Sequence, residues 1–342
     1  MTELKQLVQA LCALDGPSGN EDAVRSFILE QITDTCEAQV DASGNILAFK
    51  KGAKPASKKL MVDAHMDEVG VIVTGATESG LLRFDTVGGI EAEALLCKRV
   101  RFGNILGVIG AKPIHQSTPE ERKALPKRDH LLIDIGATDK ENAEQLVSPG
   151  SIGTFVGTWA ELGGNAVRAK ALDDRIGCAI LIRLLQQPAP YDFYATFTVG
   201  EELGLRGAKT AAFAIDPEVA LALETTTADD LHGSEGANVV CQSGKGVVVP
   251  FMDRTTLYDR RLYDLAFSLA AAQGIPIQTK HKVSGGNNAG AISLSKGGVP
   301  TLTLSAPCRY IHSGGSVVHW ADVMAQEALA AALIEGLAGA QE

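Results

Sequence analysis

Strand-like and helix-like segments alternate along the C-terminal half of the chain, and this alternation constrains the fold more than any other feature. A helix at 176–186 precedes a strand at 193–199, a short helix near 205–214, a strand at 219–223, a helix at 257–273, a strand at 301–304 and a helix at 321–337. Such alternation is typical of a mostly parallel sheet flanked by helices on both faces. The first 70 residues add two helices and strands at 46–49 and 60–64. We therefore expect both ends of the chain to join one α/β sheet.

The segment from 71 to 164 differs in character from the rest of the chain. It is rich in glycine and β-branched residues, with short strand-like pieces at close spacing, and only Lys140–Leu146 is expected to be helical. This spacing favours a small β-barrel or sandwich. The 342 residues also exceed the roughly 250–300 that one core accommodates. The sequence thus predicts an α/β domain in two parts, 1–70 and 165–342, with an inserted β-rich domain at 71–164.

Composition argues against several classes of partner. The chain has 31 Lys and Arg against 41 Asp and Glu, and without a basic run it is a poor ligand for nucleic acid. The most apolar stretch, 324–338, is interrupted by polar residues, and the N-terminus lacks a signal-peptide pattern. The six cysteines are widely spaced and form no CxxC pair. We expect a cytoplasmic protein that binds neither nucleic acid nor membrane.

Potential metal ligands follow the predicted strands. In open α/β sheets, ligands bind beyond the carboxyl ends of the strands, and five places there carry His, Asp or Glu. These are His65 with Asp67, Asp173 with Asp174, Glu201 with Glu202, Glu224, and His312. Each alone has an ordinary structural explanation, such as a helix cap or a solvated turn.

Together these residues form a set of nitrogen and oxygen donors that suits Zn²⁺, Co²⁺ or Mn²⁺. Five ligands suffice for two ions only if one carboxylate bridges them. Two ions about 3.5–4 Å apart can hold a hydroxide and polarise a carbonyl. One glutamate of the Glu201–Glu202 pair then remains as a general base, and Asp67 can fix the tautomer of His65.

Four motifs resemble, in order and spacing, the tetrahedral (TET) aminopeptidases, which are glutamyl-aminopeptidase-like peptidases with two co-catalytic metal ions. Some members of that family carry an endoglucanase label. The motifs are DAHMDEVG (63–70), ALDDRIGC (171–178), TVGEELGLRGA (198–208) and RYIHS (309–313). Weaker similarity at GPSGNE (16–21) and SGGNNAGAI (284–292) extends the resemblance over nearly the whole chain.

The resemblance implies two divalent ions per subunit, with zinc, cobalt or manganese as candidates. One ion is expected on His65, Asp173 and Glu224, and the other on Asp173, Glu202 and His312, so that Asp173 bridges them. Glu201 is expected to act as the general base on a metal-bridging water, and Asp67 to support His65. The resemblance also implies a cis peptide after Asp173, dimerisation through the inserted domain, and assembly of dimers into a tetrahedral dodecamer.

The chain departs from the family pattern at two places. Glu224 stands where an Asp is usual, and we expect metal binding to survive with altered geometry. Asn287 and Asn288 replace the Thr-Asp of a GGTDA loop. The change at Asn288 is expected to remove a charge from near the substrate.

These observations leave three functional hypotheses. The leading one is an aminopeptidase that removes N-terminal residues from short peptides. The alternative is a metal-dependent deacylase or amidohydrolase of N-acyl amino acids or small metabolites, which would accept substrates without a free amine. The third is a non-catalytic assembly protein that retains the fold. A glycosidase is disfavoured, because the carboxylates it would need are assigned to metals.

Overall fold

The computed structural model describes residues 2–231, 233–234, 236 and 239–339. The first part of the chain forms α1 (Glu3–Ala13), α2 (Asp22–Ile32), β1 (Glu37–Val40), β2 (Ile46–Lys50) and β3 (Leu60–His65). The middle part forms β4 (Gly70–Ala76), β5 (Leu82–Val87), α3 (Ala92–Leu95), β6 (Arg99–Phe102), β7 (Ile105–Gly110), β8 (Leu132–Asp134), α4 (Lys140–Leu146) and β9 (Ile152–Phe155). The last part forms β10 (Ala160–Leu162), β11 (Ala166–Ala169), α5 (Leu172–Gln186), β12 (Phe193–Thr198), α6 (Arg206–Ile215), β13 (Val219–Thr227), β14 (Val247–Val249), α7 (Arg260–Gln273), β15 (Ile277–Thr279), α8 (Ala289–Ser293), β16 (Thr301–Arg309), β17 (Ser316–His319) and α9 (Trp320–Gly339).

The larger sheet confirms the predicted α/β architecture. Its strands lie in the order β1-β2-β12-β3-β13-β16-β17-β11-β10, and β14 pairs with β16 on one side and with β15 on the other. The four central strands, β12, β3, β13 and β16, are mutually parallel. The flanking strands pair antiparallel, so the sheet is mixed with a parallel centre. Both ends of the chain contribute strands to it, as the sequence predicts.

Helices cover both faces of the sheet because successive side chains of each central strand point to opposite faces. On β3, Val62 and Ala64 pack in the large core that α1, α2, α5 and α9 also line. The intervening Met61 packs with α6 and with Ile292 of α8 on the other face. No helix of the described residues is long and apolar enough to cross a membrane.

The middle part of the chain forms a closed barrel in the order β4-β5-β8-β7-β6-β9, as predicted for the β-rich segment. Its own apolar core includes Val71, Val100, Ile133 and Phe155. The short helix α3 and three 3-10 turns supplement the helix predicted at Lys140–Leu146. Only residues 66–69 separate the end of β3 from β4, so the HMDE motif lies where the sheet joins the barrel.

The structure differs from the predicted element boundaries at two places, and both contain potential metal ligands. Glu224 lies within β13, which runs on to Thr227, and not after the strand. Asp173 and Asp174 lie inside the bounds of α5 and not in a loop before it, although their backbone angles are non-helical. The peptide between these two residues is cis, as the resemblance implies.

Candidate active site

The candidate residues meet at the carboxyl ends of the parallel strands. His65 is the last residue of β3, and Glu201 and Glu202 follow β12, its neighbour in the sheet. Glu224 extends from β13, on the other side of β3. This is the edge at which open α/β sheets bind ligands.

The first group of potential ligands consists of His65, Asp173 and Glu224, all buried. His65 Nε2 lies 3.5 Å from Asp173 Oδ1 and 3.6 Å from Glu224 Oε2. Ligands about 2.0–2.2 Å from a tetrahedral ion are themselves roughly 3.3–3.6 Å apart, so this spacing fits a metal ion better than direct hydrogen bonds.

The second group of potential ligands shares Asp173 with the first. His312 Nε2 lies 3.3 Å from Asp173 Oδ2 and 3.4 Å from Glu202 Oε2. The other ring nitrogen of His312, Nδ1, is 2.8 Å from the carbonyl oxygen of Gly89, which lies in the segment between β5 and α3. Asp173 thus faces one histidine with each oxygen, the arrangement that a bridging carboxylate needs.

The electrostatics of these groups also fit bound cations. Burial raises the pKa of Glu201 to about 7 and that of Glu202 to about 8, and it raises the pKa of Glu224 well above its usual range. Burial by itself would also raise the pKa of Asp173. Hydrogen bonds from the two histidines outweigh burial, so the pKa of this carboxyl is lowered. Burial of several ionised carboxylates this close together is unfavourable unless nearby positive charge compensates them. Divalent ions would supply that charge.

Asp67 holds the loop that carries the two glutamates. Its buried carboxylate accepts hydrogen bonds from the backbone N–H of Glu201 at 3.0 Å, the N–H of Glu202 at 3.1 Å and the hydroxyl of Ser18 at 2.6 Å. His65 Nδ1 is closer to the Asp67 carbonyl oxygen, at 3.1 Å, than to its carboxylate, at 3.5 Å. The contact with His65 is therefore mainly through the backbone, and the carboxylate chiefly positions Glu201 and Glu202.

Asn288 occupies a different place from the one its motif suggested. It is fully buried, and its amide donates to Asp63 Oδ2 at 2.7 Å and to the Thr198 hydroxyl at 2.9 Å. Its backbone N–H reaches Glu224 Oε1 at 3.4 Å. Asn287, the preceding residue, lines the cavity instead. The expectation that the Asn288 change acts directly at the substrate is not supported, because this side chain faces Asp63.

A cavity of about 230 Å³ opens onto the site and is lined by Glu201, His65, Asp173 and Glu224. Lys280 also lines it, just after β15. The sequence reasoning missed Lys280, because it lies in a polar segment without a motif. Lys280 reaches the site because β15 pairs with β14, which in turn pairs with β16.

Known proteins resemble this chain over nearly its full length. The sequence model of the M42 glutamyl aminopeptidase family matches residues 44–329. A putative aminopeptidase of Acetivibrio thermocellus is 38% identical over 94% of this chain and 95% of its own length. The lysyl aminopeptidase of Pyrococcus furiosus is 33% identical over 97% of each chain.

Among solved structures, that of the Pyrococcus horikoshii TET1 peptidase, which can assemble into a tetrahedron or a large octahedral shell, is 33% identical with a TM-score of 0.84. The alignment covers 97% of this chain and 99% of that structure. The sequence motifs, the fold and these similarities agree: the chain belongs to the M42 glutamyl aminopeptidase family and is a peptidase.

Proposed function

We propose that the chain is a metal-dependent aminopeptidase that removes N-terminal residues from short peptides. The observation that carries this proposal is the pair of ligand groups sharing Asp173, with Glu201 lining the same cavity. The relatives named aminopeptidases support the class of reaction.

Two divalent ions fit these residues. His65, Asp173 and Glu224 would hold one ion, and Asp173, Glu202 and His312 the other, consistent with the ligand spacing above. Zinc, cobalt and manganese all accept this set of nitrogen and oxygen donors. When bound, such ions polarise the scissile carbonyl and lower the pKa of a water molecule.

Glu201 is the proposed general base. Its carboxylate belongs to neither ligand group but lines the same cavity as His65, Asp173 and His312, so it can exchange a proton with a water molecule held there. It takes a proton from the attacking water and returns one to the leaving amine. Asp67 positions Glu201 by holding its backbone N–H.

We also propose that this protein is a cytoplasmic homo-oligomer built from dimers, with a tetrahedral dodecamer as the expected assembly. The shells formed by the TET1 relative support this proposal. In the barrel, β7 presents Leu106 and Val108 to solvent, 60% and 46% exposed. We propose that these side chains form part of the dimer contact. We also propose that the inserted domain, residues 71–164, mediates dimerisation.

The test uses free and N-acetylated aminoacyl-p-nitroanilides. Chelator-stripped protein is assayed before and after addition of Zn²⁺, Co²⁺ or Mn²⁺. The proposal predicts metal-restored cleavage of the free-amine substrates alone. Cleavage of the acetylated substrates would favour a deacylase instead, and no cleavage of either set with any ion would contradict an enzymatic role on these substrates.

A further inference from the structure

Glu21, the last residue of the GPSGNE motif at 16–21, has no part in the reaction proposed above. It directly precedes α2 and is 6% exposed. A carboxylate at such a place commonly bonds to the free backbone N–H groups in the first turn of its own helix. In α2, which the structure describes in full, no backbone N–H donates a cap hydrogen bond to the Glu21 side chain. The burial of Glu21 is therefore explained by contacts outside its helix.

The Glu21 carboxylate instead accepts a hydrogen bond from the backbone N–H of Gly200, whose nitrogen lies 3.2 Å from Oε1. Gly200 immediately precedes Glu201, and its φ of +62° places it in the left-handed region that favours glycine. The chain turns at this residue after β12, so the direction of its N–H is tied to the path of the residues that follow. Over the described ranges, Glu21 forms no ion pair within 4.0 Å of a Lys, Arg or His nitrogen. Its partner is a backbone N–H and not an opposite charge.

Four consecutive backbone N–H groups, from 199 to 202, each donate to a buried side-chain oxygen. The bonds join Val199 to Asn45, Gly200 to Glu21, and both Glu201 and Glu202 to Asp67, at 3.0 to 3.2 Å. The three acceptors come from separate segments, which lie before α2, before β2 and after β3. The backbone that carries Glu201 is therefore fixed by three buried side chains and not by a regular strand or helix.

We propose that Glu21 is a positioning residue that holds the backbone at Gly200 and thereby fixes the Glu201 carboxylate where it can reach the attacking water. This inference rests on the proposed aminopeptidase function, in which Glu201 is the general base. Asp67 holds the N–H of Glu201 itself, whereas Glu21 holds the turn before it. Proton transfer requires the two groups to lie within hydrogen-bond reach, so a displacement of about 1 Å can lower the rate about 10²-fold.

The proposed role requires an acceptor oxygen and not a negative charge. Burial raises the pKa of Glu21, although hydrogen bonds from the N–H groups of Gly19 and Gly200 oppose this effect. A neutral carboxyl still offers a carbonyl oxygen as an acceptor, and a glutamine amide offers the same. Glu21→Gln should therefore keep kcat within about threefold of wild type, because the bond to Gly200 can still form.

Glu21→Met has a similar length but no acceptor oxygen. We expect its kcat to fall about 10- to 100-fold and its KM to change by less than about threefold, because positioning of the base matters chiefly in the transition state. Metal-loaded protein is assayed on the free-amine p-nitroanilide that the wild type cleaves fastest. Glu30→Met, which removes an exposed carboxylate from the same helix, should match wild type. Wild-type kcat in folded Glu21→Met, or an equal loss in Glu21→Gln, would overturn the proposal.

A second variant keeps the test valid if Glu21→Met does not fold, which its thermal melting curve will show. Glu21→Asp withdraws the acceptor by one methylene, so its kcat should fall about three- to thirtyfold. An unchanged kcat in Glu21→Asp would then count against the proposal. A loss of kcat that excess metal restores would place the effect on the ligand Glu202 and would also overturn the assignment to Glu201.

A double variant tests whether Glu21 acts through Glu201. In a Glu201→Gln background, Glu21→Met should lower the residual kcat by less than about threefold, because the base that it positions is already absent. Losses that multiply would show that Glu21 affects turnover by another route, and the proposal would be wrong.

Hydrogen exchange at the Gly200 amide provides a readout that does not depend on turnover. This amide should exchange faster in Glu21→Met than in wild type, and at the wild-type rate in Glu21→Gln and Glu30→Met. Unchanged exchange in Glu21→Met would overturn the proposal. If metal-loaded wild type cleaves no free-amine substrate, the aminopeptidase function fails. Faster exchange at Gly200 in Glu21→Met would even then support the role of Glu21 in holding this turn.

Discussion

At the scale of single residues, Glu201 is the side chain on which the proposed reaction most depends. Glu201→Gln preserves its volume but removes its ability to accept a proton, so we expect kcat to fall about 10²–10⁴-fold. Because Glu201 belongs to neither ligand group, bound metal should be unchanged. Steady-state kinetics and metal analysis check both, with exposed Glu335→Gln as the control. Wild-type turnover by metal-loaded Glu201→Gln would show that another group is the base.

Asn288 permits a test of the buried pair it forms with Asp63. Burial raises the pKa of Asp63 to about 6, although hydrogen bonds from Thr196 and Asn288 oppose this effect. Asn288→Asp would place two carboxylates in direct contact, so the pair would retain a proton with a pKa raised above its unfolded value. The folded variant is therefore stabilised by this bound proton at low pH, and the stabilisation is lost as pH rises through the pKa of the pair in the folded state.

Asn288→Asp should therefore unfold more easily than wild type, by about 1–3 kcal/mol near pH 8, and the deficit should shrink toward pH 5. Denaturant unfolding across this pH range measures the difference. Asn104→Asp, at an exposed turn between β6 and β7, provides the control. A deficit that is constant or that grows at low pH would mean that the two side chains do not share a buried contact.

Some residues of the candidate site could be predicted from the sequence and others could not. His65, Asp173 and Glu224 could be located at predicted strand ends and loops, and the resemblance to a known family assigned them to one ion. The structure brings these three residues together. Lys280 and the partner of Asn288 could not be identified, since their contacts join segments far apart in sequence. The contact between Asn288 and Asp63 spans 225 positions and leaves no periodic pattern.

At the scale of elements, the parallel centre of the sheet and the adjoining strand β2 were predictable from the sequence, whereas the margin formed by β10, β11 and β17 was not. The central strands are almost wholly buried, so each appears in the sequence as an apolar run. Strands β10, β11 and β17 have three or four residues each, too few to show a period. Their antiparallel pairing depends on tertiary contacts.

The barrel provides a test at this scale through two of its glycines. A Cβ added to Gly153 in β9 would lie 2.5 Å from Cε1 of Phe102, whereas one at Gly110 in β7 meets nothing within 4 Å. Gly153→Ala should lower the free energy of unfolding by about 1–3 kcal/mol, and Gly110→Ala should change it by less than about 0.5 kcal/mol. Denaturant unfolding compares them. Equal effects would contradict the packing of Phe102 over β9.

At the scale of the whole molecule, we expect a mass in solution larger than the 35.9 kDa of one chain, corresponding to a dimer or to an assembly of dimers. Light scattering after size-exclusion chromatography measures it. If β7 forms part of the dimer contact, Leu106→Lys combined with Val108→Lys should shift the protein toward smaller species, because burying two lysines at an interface is costly. Leu294→Lys, at an exposed leucine directly after α8 and outside the barrel, is the comparison. A monomeric wild type would contradict the proposed assembly.

The most direct test of the central claim is a metal titration of chelator-stripped protein, followed by both metal binding and peptidase activity. Two ligand groups sharing Asp173 predict that activity returns with a break at two equivalents of ion per chain. Glu224→Ala, which removes one ligand from the first group, should weaken binding of one equivalent and lower activity with it. Full activity without metal, or saturation of both binding and activity at one equivalent, would contradict the paired-ion site.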